Sequence, residues 1–142
     1  MTSQIWLQSF LEAQGGIAGS VHVVTEPQVG LSEGVLELVA HVNLPPPVVE
    51  KTQLIPKGKG MAGLAWERNQ AVSTCNLQAD TSGDVRPGAK AVNAQAAVAI
   101  PVHAASGELR AVVGIAFLGD RDFSDADLRE FEQQAKTLPT DR

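Results

Sequence analysis

The sequence contains no tyrosine, one cysteine and only 4% aromatic residues, two tryptophans and four phenylalanines among 142 positions. With so few rings available, the core must be built mainly from Val, Ala, Leu and Ile. Cys75, being alone, cannot close a disulfide within the chain, which suits a reducing compartment. No apolar run approaches the roughly 20 residues that cross a bilayer, so no membrane partner is expected. Basic residues are also few: 11 Lys and Arg against 16 Asp and Glu give a formal charge of -5 at pH 7. Nucleic acid requires a basic patch, and none is visible. Met1-Thr2-Ser3-Gln4 lacks the basic start and apolar core of a signal peptide, so the expected location is the cytoplasm.

What is present is ordinary for a globular protein: 44% hydrophobic and 19% charged residues. The length predicts one domain spanning 1–142. The stretch from Ile55 to Val72 organises the rest. Gly58, Gly60 and Gly63 mark a tight turn or close approach. Met61, Leu64, Ala65 and Trp66 then recur at helical spacing until Asn69-Gln70, and Ala71 to Thr74 reads as a strand.

Upstream, Thr2 or Ser3 caps a helix that Gly15-Gly16 terminates near Gln14. Gln4, Gln8 and Glu12 make its one polar stripe. Ile5, Trp6 and Phe10 lie on one side and Leu7 and Leu11 on the other, more apolar surface than a single packed face needs. That surplus predicts a second contact, with another terminal helix or a second subunit. Ala18 to Thr25 and Gly34 to Asn43 read as neighbouring strands, and a short helix over Val48 to Gln53 follows three prolines. Gln53 to Lys57 makes a poor strand.

Downstream, Cys75 to Asn93 has no sustained periodicity. A loop of that length predicts a lid, with one helical turn near Ala89-Val92. Gln95 to His103 and Glu108 to Leu118 are strands joined at Ser106-Gly107, apolar on both faces, so both sides of the sheet should be covered. Their many alanines leave room for something bulky. Ser124 with Asp127 predicts a capping box, and Leu128, Phe131, Ala135 and Leu138 line the last helix. The sum is an α+β domain with an antiparallel sheet.

Taken in order, three segments resemble a GAF domain: Ile55-Pro-Lys-Gly-Lys-Gly-Met-Ala-Gly through Thr74, Ala99-Ile-Pro-Val with Val113-Gly-Ile-Ala-Phe, and Arg121-Asp-Phe-Ser-Asp-Ala-Asp-Leu. The resemblance covers essentially the whole chain. It implies a GAF-like fold: a five- or six-stranded antiparallel sheet, terminal helices on one face, and short helices with a loop forming a small-molecule pocket on the other. It also implies frequent dimerisation through the terminal helices. Cyclic-nucleotide-binding members carry an Asn-Lys pair and a later Asp-Glu; here Gly119-Asp120 and Leu128 depart from that pattern. Bilin-binding members follow the attachment cysteine with His, where Asn76 follows Cys75. Free-methionine sulfoxide reductases of this fold use several cysteines. No cofactor is identifiable.

Other motifs have plainer readings. Gly58-x-Gly60-x-x-Gly63 with Asp80 matches a dinucleotide fingerprint but lacks the strand and parallel βαβ unit that this mechanism needs. Asp80-Thr-Ser-Gly-Asp84 resembles half a calcium loop, but Val85 and Ala91 occupy its essential Gly and Glu places. His22, His41 and His103 fall on three strands with no metal-ligand spacing, so no metal is assigned. No catalytic residue is assigned. The expectation is a non-catalytic sensory module of bacterial regulator type. It would bind a small organic ligand through Met61, Trp66, Thr74, Asn76, Asp80, Ala97 and Ala99, and signal to a second subunit or a separate effector protein. The alternatives are a dimerisation or protein-docking module with a degenerate pocket, and a sulfoxide reductase based on Cys75.

Overall fold

A computed structural model describes residues 1–25, 34–74, 96–119 and 121–140. Helix α1 (Ser3–Gln14) starts where Thr2 accepts from the Ile5 amide and ends at Gly15, whose φ of 76° suits glycine. Strand β1 (Ala18–Val24) and strand β2 (Leu36–Val42) pair antiparallel. Helix α2 (Pro46–Lys51) begins earlier than the sequence predicts, because prolines fit a first turn that has no use for their missing N–H groups. Strand β3 (Leu54–Ile55) lies within the segment read as a poor strand; two residues are too few to show a period, but they pair with β2. Helix α3 (Gly60–Arg68) ends at Asn69, a left-handed residue with φ 56°. Strand β4 (Val72–Thr74), strand β5 (Ala96–His103), strand β6 (Leu109–Phe117) and helix α4 (Asp125–Ala135) complete the order. The expected lid from Cys75 to Asn93, including the turn at Ala89-Val92, lies outside the described residues.

The strands form one six-stranded sheet, ordered β3-β2-β1-β6-β5-β4, with every recorded pairing antiparallel. Among the described residues no parallel βαβ unit surrounds Gly58 and Gly60, so the dinucleotide reading has no scaffold there. Among the described residues no helix is long and apolar enough to cross a membrane.

Helices α1 and α4 cover one face. Trp6, Leu7, Phe10 and Leu11 of α1 and Phe131 of α4 join Val21, Val98, Ile100, Val113, Ile115 and Phe117 in a single buried cluster. Trp6 stacks on Phe10 at 4.9 Å between ring centroids, and its indole N–H donates to Thr137 Oγ1 at 2.8 Å. The apolar surplus on α1 is therefore largely spent within the chain, against the sheet and the segment after α4. Of the large apolar side chains of α1 only Ile5 stays exposed, as does Met1 just before the helix. The capping box at Ser124 forms as expected, and the Arg121 guanidinium lies 4.5 Å from the Phe117 ring and 5.1 Å from Phe123, fastening β6 to α4.

Gln4 does a different job. Its side-chain amide donates to the His41 carbonyl at 2.8 Å and accepts from the His41 N–H at 3.1 Å. Strand β3 reaches only Leu36 and Glu37, so this side chain stands where a further strand would pair.

Candidate cavity between the sheet and the short helices

The opposite face of the sheet carries small residues in register. Ala18 lies beside Ala116, which lies beside Ala97, which lies beside Thr74. In the next row Ser20, Gly114, Ala99 and Val72 are aligned, and in the third His22, Val112 and Pro101. Over β1, β6 and β5 these rows carry only methyl, hydroxymethyl and hydrogen side chains, which leave space beneath the helices even though Val48 of α2 reaches down to Ala18, Ala97 and Ala116. The result is a cavity of about 540 Å³, floored by β1, β5 and β6 and walled by α2 and the start of α3.

Its roof is set by backbone geometry. Gly60 has φ 65°, which lets the chain turn sharply into α3. At Gly63 a Cβ would come within 2.6 Å of the Pro56 carbonyl oxygen, and the Gly58 N–H donates to the Gly63 carbonyl at 2.8 Å. Only glycine allows that loop to lie flat on α3, and this placement brings Lys59, Gly60, Met61 and Ala62 to the cavity wall. From α2, Val48 packs with Ala18, Ala97 and Ala116, closing one end.

His22 joins floor to roof. It is 3% exposed and lines the cavity. Its Nε2–H donates to the Thr52 carbonyl, just past α2, at 2.8 Å. A carbonyl can only accept, so the proton lies on Nε2 and Nδ1 presents a lone pair. That Nδ1 is buried and, among the described residues, has no hydrogen-bond partner. Burial holds the imidazole pKa below its ordinary value, since charging it there would cost solvation; the bond to Thr52 pulls weakly the other way.

Of the residues picked from sequence, Met61, Ala97 and Ala99 stand on the cavity wall. Trp66 does not: it packs against the cluster of Leu36, Ala65, Val72, Ala99 and Val112, while Lys57 Nζ sits 5.6 Å from its ring centroid. Thr74 is buried beside Ala97 but also off the wall. Asn76 and Asp80, with Cys75, lie outside the described residues. Sequence reasoning missed Ala18, Ser20, His22, Gly114 and Ala116. The alternation of small with large residues along β1 and β6 was the available signal; the register that aligns them was not.

The other histidines stand apart from this site. His41 is exposed on β2, and exposed His103 hydrogen-bonds Asn69 through Nε2 and Oδ1. Among the described residues no group of three His, Cys, Asp or Glu is placed to hold a metal ion.

A family model described as a GAF domain matches residues 2–138. Among solved structures, the type II free methionine-R-sulfoxide reductase from Thermoplasma acidophilum is similar, with 20% identity and a TM-score of 0.70 over 95% of this chain and 85% of that one. The GAF domain of a phosphoenolpyruvate-protein phosphotransferase from Coxiella burnetii gives 19% identity and a TM-score of 0.71, covering 95% and 76%. A Staphylococcus aureus NreA protein mutated in its nitrate binding site gives 15%, 0.68, 90% and 92%. At these identities the likeness is one of fold. No curated protein matches the chain.

Proposed function

This chain belongs to the GAF domain family, and from that premise we propose that it is a ligand-binding regulatory domain whose small organic ligand sits in the cavity between the sheet and helices α2 and α3. The observation that carries this reading is the unfilled volume of about 540 Å³ on a face floored by Ala18, Ser20, Ala97, Ala99, Gly114 and Ala116. Protein interiors are close-packed, and a void of this size forgoes contacts that larger side chains would supply. A pocket of such volume, mostly apolar with a few polar groups, suits a small molecule. The route outward runs through β1, whose Gly19 lies beneath Leu7 and Leu11 of α1 on the far face of the sheet.

A thermal-shift screen of metabolites tests this, comparing the natural chain with Ala97→Leu, which fills the floor. Stabilisation of the natural chain that Ala97→Leu abolishes is the expected result. Equal response of both, or of neither, removes the reading.

Two further readings have their own observations. Likeness to free methionine-R-sulfoxide reductases favours catalysis, and with Cys75 as the one cysteine the resolving thiol would have to be external. Turnover of free methionine-R-sulfoxide with dithiothreitol, lost in Cys75→Ala, would establish it. Among the described residues, dimerisation through the terminal helices draws on exposed Ile5 of α1 and on Met1 just before it. Sedimentation showing a monomer at tens of micromolar would set it aside.

A further inference from the structure

Resting on that cavity reading, we propose that the occupant is a small organic carboxylate that also carries an O–H or N–H donor. Its charge sits at the start of α3 beside Lys59, and its donor meets His22 Nδ1. Three observations converge on this chemistry.

The first is charge. The chain holds 16 acidic and 11 basic residues, yet among the described residues the cavity is lined by Lys51 and Lys59 and by no Asp or Glu. An acidic protein that keeps described carboxylates off one concave surface favours a negative guest there. The second is α3 itself. Its N-cap, Lys59, provides no side-chain acceptor, so the amides of the first turn, Gly60 to Ala62, are left at the cavity wall without the partner that Ser, Thr or Asp would give. The positive end of the helix dipole adds to them, and a carboxylate answers both. The third is His22. With Nε2 committed to Thr52, the buried Nδ1 is an acceptor that lacks a donor among the described residues, and an orphaned buried acceptor is costly unless a ligand or water answers it.

Matched probes separate these terms. Mandelate and 2-hydroxyisocaproate carry charge and hydroxyl; their amides lose the charge; phenylacetate and 4-methylpentanoate lose the hydroxyl; indole is a neutral control for the cavity alone. Each is titrated into the full chain and followed by amide NMR. The hydroxy acids are expected to bind about tenfold more tightly than their amides, moving Gly60, Met61 and Ala62 most. Lys59→Gln should narrow that gap, and His22→Phe should erase the preference for hydroxyl while keeping the preference for charge. Amides that bind as well as acids overturn the inference and leave the cavity reading standing. So does binding of indole alone. Silence from every probe, indole included, removes both.

Discussion

Along β5, Val98, Ile100 and Val102 point into the cluster under α1 and α4, while Ala97 and Ala99 point toward α2 and α3. Along β6, Val113, Ile115 and Phe117 share the first direction and Gly114 and Ala116 the second. The two faces of one sheet thus differ in side-chain size where many sheets differ in polarity. Five of the six aromatic residues (Trp6, Phe10, Phe117, Phe123 and Phe131) belong to the packed face. Stability is concentrated on one side, which leaves the other free to remain hollow.

The largest expected effect breaks the packed side. Phe131→Ala, which removes a ring 6.0 Å from both Phe117 and Phe123, should lower unfolding free energy by about 3–5 kcal/mol in urea denaturation. Adjacent alanines then sharpen the contrast. Ala96 is fully buried in the packed cluster, so Ala96→Leu should cost about 1–3 kcal/mol by overpacking. Ala97→Leu projects into the void and should change stability by less than about 1 kcal/mol, while abolishing ligand-induced stabilisation. A loss of stability equal to that of Ala96→Leu would mean the hollow face is packed after all.

Ser124→Ala removes the cap of α4 and should cost about 1 kcal/mol with ligand affinity unchanged, a check that the packed side can be loosened alone. The gentlest contrast is in pH. His22 is the one titratable side chain among the described buried residues, and its pKa is lowered in the folded state. Above the unfolded value of about 6.5 both states are neutral and stability is unaffected. As pH falls below that value the unfolded chain takes up the proton first, so stability declines until the lowered folded pKa is passed. Denaturation midpoints measured from pH 8 to pH 5 should show this decline, and His22→Phe should flatten it.

Much of this was legible beforehand. Thr2, Gly15, Asn69 and Ser124 mark helix ends by local chemistry, and the β-branched runs at β1, β5 and β6 mark the sheet. The alanines at 97 and 99 gave away the space. Helical spacing tells which residues share a face, not which neighbour that face meets; Trp66 packs against the cluster that includes Leu36 and Val72 and does not line the cavity. In the sequence His22 stands as one of three strand histidines without metal-ligand spacing; its link to the cavity comes from Thr52, thirty residues away and brought back by α2. Gly114 and Ala116 matter through alignment with Ala18 and Ser20, and pairing between distant strands leaves no mark within either one.

The amide of Gln4 also guards a margin of the sheet. Sheets grow, in dimers and in fibres alike, when a foreign strand finds free N–H and C=O groups along a margin. At His41 both groups are already taken by a glutamine anchored in a helix. A newcomer extending the sheet there would first have to evict it, so any such recruitment is turned away from that end of β2.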